Sequence, residues 1–186
     1  MTSNSLTALI AQADERALAA SGLACLDRCL PLLAAEDDTL RPLWAGLADG
    51  EESWAGELAA VRQAMEMASL ADEDAALVRR MLGAAPSDWA AGPLREWADG
   101  CSLAALEVHR RFDAGVIGPE ALERCREGDA EGAGPLMAGE LRRQAQILEI
   151  LAEPAGGNGL RHALEVSVEG RRVLRAAVSR RARVTG

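Results

Sequence analysis

A chain of 186 residues, 49% of them hydrophobic, fits one globular domain with a sizeable core. Its twenty basic residues are all arginine and it has no tyrosine, which excludes a P-loop lysine, a Schiff-base or general-base lysine and any tyrosine proton donor. The formal net charge is −9, and four cysteines in so acidic a chain do not make a disulfide framework.

Alanine and leucine carry most of the apolar content, against four Trp and one Phe, so the composition favours helix over strand. The chain therefore reads as all-α. The first helix starts near Ser3 or Ser5, either of which can cap it, and buries Leu6, Leu9, Ile10 and Ala13. Gly22 is a stop or kink. Leu23, Leu26, Cys29, Leu30 and Leu33 then recur at helical spacing, and Pro31 breaks or kinks that segment. Asp37 and Asp38 supply an N-cap for a short helix running to Gly50. A longer helix follows with Trp54, Leu58, Val61 and Met65 inward, and Asp72 caps the next, which buries Leu77, Val78, Met81 and Leu82 before ending at Ala84–Ser87.

The clearest periodicity begins at Pro93, with Leu94, Trp97, Cys101, Ala104, Ala105, Val108 and Phe112 on one face. Gly115 and Gly118-Pro119 end it and open a short helix holding Leu122 and Cys125. Gly128–Gly134 is a small-residue linker. Met137, Leu141, Ile147, Leu148 and Leu151 form another stripe, Pro154–Gly159 is a loop, and a last helix runs from about Leu160 to Arg183. The expectation is one domain over residues 1–186, an orthogonal or up-down bundle of eight or nine helices, in which 160–186 packs on the body or detaches from it. No repeat of 33 to 47 residues recurs, as a helical solenoid would require.

Charge is segregated. From Arg161 onward there are seven Arg against Glu165 and Glu169, a balance of +5, so the other 160 residues carry −14. Arg171, Arg172, Arg175, Arg180 and Arg181 either lie against the acidic body or simply face water, or they form a handle for an acidic partner protein, an anionic surface or a nucleic acid. Nucleic acid is the weaker partner, since the body repels phosphate and no aromatics interleave with the arginines. The lack of a leader-like start and of a long apolar run predicts a cytoplasmic protein that does not enter a membrane. Homo-oligomerisation stays open, because a leucine–alanine helix face packs equally within or between chains.

Candidates for chemistry are few, and no cofactor or catalytic set is predicted. Cys25 and Cys29, four apart, could join His162 and Glu165 in a mixed zinc site, but a buried cysteine acting as a small hydrophobe is the stronger reading. A di-iron site fails for want of Glu-x-x-His pairs. Cys101 and His109 lie on one helix about 12 Å apart, too far for direct proton transfer; Cys125 reaches His109 only if the glycine turn folds back. With Trp97 and Arg110 they could instead line a small-molecule pocket along residues 93–113, where Arg110 or Arg111 would grip a carboxylate or phosphate. Trp97 reads as core, whereas Trp44, Trp54 and Trp89 sit where partly exposed binding tryptophans are found, or else supply the bulk of a leucine–alanine core.

Cys29-Leu-Pro-Leu-Leu33, Asp37-Asp38 and Arg41-Pro42 resemble the opening of certain all-helical bacterial immunity-type proteins, over residues of about 20–45. That resemblance implies a stoichiometric binder of a partner protein and not a catalyst.

Overall fold

The computed structural model describes residues 5–33, 35–66, 72–114, 117–154 and 157–186. The proposed cap at Ser3, the stop at Gly115 and the centre of the 154–159 loop fall outside them. The described residues form a single bundle of nine α-helices without strands: α1 (Leu6–Gln12), α2 (Glu15–Cys29), α3 (Arg41–Asp49), α4 (Glu51–Glu66), α5 (Glu73–Gly83), α6 (Ala91–Phe112), α7 (Leu122–Arg126), α8 (Pro135–Ala152) and α9 (Gly159–Thr185). Short 3-10 turns, Leu30–Leu33 and Pro119–Ala121, extend α2 and lead into α7. No helix among these residues is long and apolar enough to cross a membrane.

The bundle is built around α2. Thirteen of its fifteen residues, Ala17 through Cys29, are buried, so it has no solvent-facing side over three turns. Its surroundings are α6 and α9 first, then α8, α3 and α5. Small residues make this possible, because Ala19, Ala20, Ser21 and Gly22 let neighbouring helices approach closely. Gly22 does not end the helix. A Cβ there would sit 2.6 Å from the Trp97 ring, so the glycine marks the closest approach of α2 to α6. The break lies earlier, at Ala13–Asp14, where the Asp14 carboxylate accepts from the Ala17 amide and starts α2. Pro31 sits, as expected, in a tight turn directly after α2.

One expected cap differs, and one unexpected cap is present. Asp37 and Asp38 do not cap α3, which starts after Leu40 with Pro42 in its first turn and no side-chain cap; the Asp37 carboxylate is drawn instead to Arg175 of α9. Asp113, just past α6, accepts from the Met137 amide and so caps α8, a helix with no capping side chain of its own. Ser5 and Asp72 cap α1 and α5 as expected.

The tryptophans are mostly core. Trp54 is wholly buried and packs against Trp89 and Trp97, with ring centroids 5.8 and 5.7 Å away in tilted arrangements. Such pairs add about 0.5–1.5 kcal/mol each beyond area burial. The Trp54 and Trp97 indole N–H groups donate to the Pro86 and Met81 carbonyls. Trp44 is buried too, and Trp89 half-buried. In a core otherwise made of leucine and alanine, tryptophan supplies the bulk; of the three expected to be partly exposed, Trp44 and Trp54 are buried and Trp89 is partly exposed.

Gly22→Ala should destabilise the protein by about 1–3 kcal/mol through overpacking against Trp97. Gly56→Ala, on the exposed side of α4 with open space around it, should stabilise by about 0.5–1 kcal/mol. Urea unfolding of both variants checks the contrast, and equal midpoints would contradict the close contact.

Candidate functional site

Near its C-terminal end α2 carries two adjacent charges, Asp27 and Arg28, both buried. A buried ion is costly unless paired and hydrogen-bonded, so each must find a partner on another helix. They face different neighbours. Arg28 turns to α8, where its Nε and Nη2 donate to Glu140 Oε2 and Oε1 at 2.8 and 2.7 Å, a two-point fork. Gln144 Nε2, one turn on, donates to Glu140 Oε1 at 2.8 Å and to the Ser102 carbonyl at 3.3 Å, while Ser102 Oγ donates to Gln144 Oε1 at 2.6 Å. From α9, Ser167 Oγ accepts from Arg28 Nη1 at 3.4 Å. Gly170 lets α9 settle on the aliphatic part of Arg28, which a Cβ there would overlap. One polar cluster thus joins α2, α6, α8 and α9, sealed from water.

His109 belongs to this cluster. Its Nδ1 lies 2.7 Å from the Ala105 carbonyl oxygen and so must carry a proton. Nε2, 3.6 Å from Glu140 Oε2, makes no hydrogen bond. Burial lowers the His109 pKa despite the Glu140 carboxylate, which leaves the ring neutral. For Glu140, burial opposes ionisation but the Arg28 charge prevails, and its pKa falls to about 2.

Asp27 faces the other way. Its Oδ1 accepts from Arg171 Nη1 of α9 at 2.8 Å, and the same nitrogen donates to the Asp37 carbonyl at 2.6 Å. Burial raises the Asp27 pKa against the pull of Arg171 and Arg28. The Trp44 indole N–H faces the Asp27 carboxylate from near enough to favour its ionised form, though outside close hydrogen-bond geometry. Both line a cleft of about 160 Å³ between the Leu40–Trp44 segment and α9.

The five predicted interface arginines separate into distinct roles. Arg171 is an internal partner of Asp27, and Arg175 pairs at the surface with Asp37. Arg181 lies over the Phe112 ring, 4.7 Å from its centroid, and 4.0 Å from Asp74. Arg172 and Arg180 are exposed and form no ion pair among the described residues; so is Arg183. The last residue of α9 to be buried is Ala177, and Ser179–Thr185 is exposed throughout, with Val184 at 86%.

The four pocket candidates do not share one wall. Trp97 and Cys101 border an open groove of about 220 Å³ with Leu77, Met81 and Ala104. His109 is turned into the sealed cluster. Arg110 is held by Glu107 at 2.8 and 2.9 Å and donates to the Ile117 carbonyl, so it is not free to grip an anion. Arg111 is likewise spent on Glu107 and Asp74. The four cysteines are buried and unbridged. Burial pushes the Cys25 thiol up to about 12 and raises Cys29 and Cys101 as well, which disfavours the reactive thiolate. Cys25 and Cys29 lie inside while His162 is exposed, so the mixed zinc set does not assemble. Among the described residues no three His, Cys, Asp or Glu side chains are grouped to hold a metal.

Sequence reasoning missed Glu140, Gln144, Asp27 and Arg28. The signal was available: Glu140 and Gln144 fill the three- and four-residue steps between Met137 and Leu148 of the apolar stripe, where an ionisable residue must be paired. Comparison with known proteins finds no protein family, curated sequence or solved structure that matches this chain.

Glu140, with its depressed pKa, favours the folded state fully above the unfolded carboxyl value of about 4.3. That contribution is lost as pH falls toward about 2. Glu140→Gln should therefore be less stable than wild type at pH 7 and lose less stability between pH 5 and 2. Unfolding free energies measured across that range test this; parallel pH profiles would contradict it.

Proposed function

We propose that the protein is a non-enzymatic binding factor whose basic C-terminal helix end docks on an acidic surface of another protein. The observation that carries this reading is the exposed last two turns of α9, where Arg180 and Arg183, without an ion pair among the described residues, stand beside the exposed Val184. The helix is a stiff 27-residue rod, anchored through Ser167, Arg171 and Leu174, so its end is held in a fixed orientation. An acidic partner is repelled by the −14 body and attracted by this end, which confines docking to one place and speeds encounter at low salt. The resemblance of residues 29–42 to immunity-type proteins supports a stoichiometric partner. A small-molecule or enzyme site along α6 has weaker support, because Trp97 and Cys101 border a groove that His109 and Arg110 do not join.

Arg171 is the wrong residue with which to test this, because removing it would leave the Asp27 charge buried and unpaired and would damage the fold. The informative variant is Arg180→Glu/Arg183→Glu. Native mass spectrometry of wild-type protein purified from its own source should show the added mass of one partner chain. The variant should lose that mass with an unchanged unfolding midpoint, and raised salt should release the wild-type partner. A partner retained equally by the variant, or absent from both proteins, would refute the reading.

A further inference from the structure

We propose that the groove between the ends of α6 and α9 receives an acidic amphipathic helix of the partner protein. An apolar side chain of that helix packs on Val184, and its carboxylates meet Arg180 and Arg181. This rests on the reading that the exposed end of α9 docks on an acidic surface, and it names what that surface must carry. The register of α9 supplies the first reason. Gly170, Leu174, Ala177, Arg181 and Val184 follow one another at steps of four, three, four and three, so they share one face of the helix. The first three are buried against the body. Val184 stands at the next apolar step of the same stripe and is exposed. The packing face of α9 thus continues for two positions beyond the body that it packs on.

Beside that overhang lies an open groove of about 330 Å³. Phe112, Ala177 and Val184 give it apolar walls, and Arg111, Arg180 and Arg181 line it against a single acidic residue, Asp113. That carboxylate is already occupied by the Ala114 and Met137 amides. Asp74 serves both Arg111 and Arg181, and Glu107 serves Arg110 and Arg111. Four arginines therefore meet three acidic groups, and Arg180 forms no ion pair among the described residues. Arg181 rests on the Phe112 ring with its side chain still 54% exposed. A guanidinium held this way loses little further freedom when a carboxylate reaches its open edge. Phosphate would answer the arginines but leave Val184 in water. A second copy meeting the groove end to end would set arginine against arginine.

The test uses the full chain and a fluorescein-labelled helical peptide of about twenty residues, long enough to hold its helix. Leucines at alternating three- and four-residue steps, flanked by glutamates, form its apolar stripe, and a control peptide carries glutamine in place of each leucine. Fluorescence polarisation should show saturable one-to-one binding of the leucine peptide and at least tenfold weaker binding of the control. Val184→Ser should weaken that binding about tenfold, Val184→Leu should retain it, and Arg180→Glu should weaken it at least as much as Val184→Ser. Thermal unfolding reports that these surface variants fold. Equal affinity for both peptides, or binding lost with Arg180→Glu but indifferent to Val184→Ser, would overturn the apolar seat while leaving acidic docking intact. Absence of saturable binding, tighter binding of an oligothymidylate of equal charge, or a dimer of the protein alone that Val184→Ser dissociates would overturn it as well. The docking reading is judged apart from these outcomes, by the partner mass in wild-type and Arg180→Glu/Arg183→Glu protein.

Discussion

A helix with water on no side cannot carry a charge without help, and α2 carries two. Asp27 and Arg28 sit side by side, so their side chains leave the helix in different directions and must be met by different neighbours. α8 answers the positive charge with Glu140, and α9 answers the negative one with Arg171. The signs are not interchangeable. Placing α9 where α8 belongs would set Arg171 against Arg28 and leave Glu140 facing Asp27, two buried like-charge contacts. The pairs thereby discriminate among ways of stacking similar leucine–alanine faces, where apolar packing alone would be permissive. The hydroxyl and amide groups of Ser102, Gln144 and Ser167 complete the hydrogen bonds a buried guanidinium and carboxylate demand.

This organisation explains how the charge asymmetry divides. The arginines of α9 are not one patch. Arg171 and Arg175 are drawn to Asp27 and Asp37, while from Ser179 on the residues of the helix are exposed and Arg180 and Arg183 form no ion pair among the described residues. Arg181 lies between these roles, tethered by Phe112 and Asp74. The part of α9 that holds the fold and the part left exposed are thus separate.

Much of the fold was legible in the sequence because apolar side chains recur at three- and four-residue steps and short connections separate them. The Pro93–Phe112 stripe, the Asp72 cap and the tight turn at Pro31 all follow from local chemistry. What was not legible depends on who stands opposite. Gly22 reads locally as a helix end and becomes a contact point only because Trp97 arrives from α6. Asp37 reads as a cap until Arg175 claims it. His109 reads as a pocket residue on its own helix, and its burial comes from Glu140 on a helix some thirty residues later. Glu140 and Gln144 were the missed clue, since polar residues at core steps announce partners without naming them.

The most direct test is a double-mutant cycle on Arg28→Met and Glu140→Leu, with unfolding free energy measured for wild type, both single variants and the pair. If this ion pair fixes α8 against α2, each single variant should lose about 3–5 kcal/mol by leaving one buried charge unpaired. The double variant should then recover most of that loss, a coupling well above the 0.5 kcal/mol or so expected of independent sites. Single-variant losses that simply add in the double variant would contradict the account, and would mean that apolar packing alone sets the arrangement of the helices.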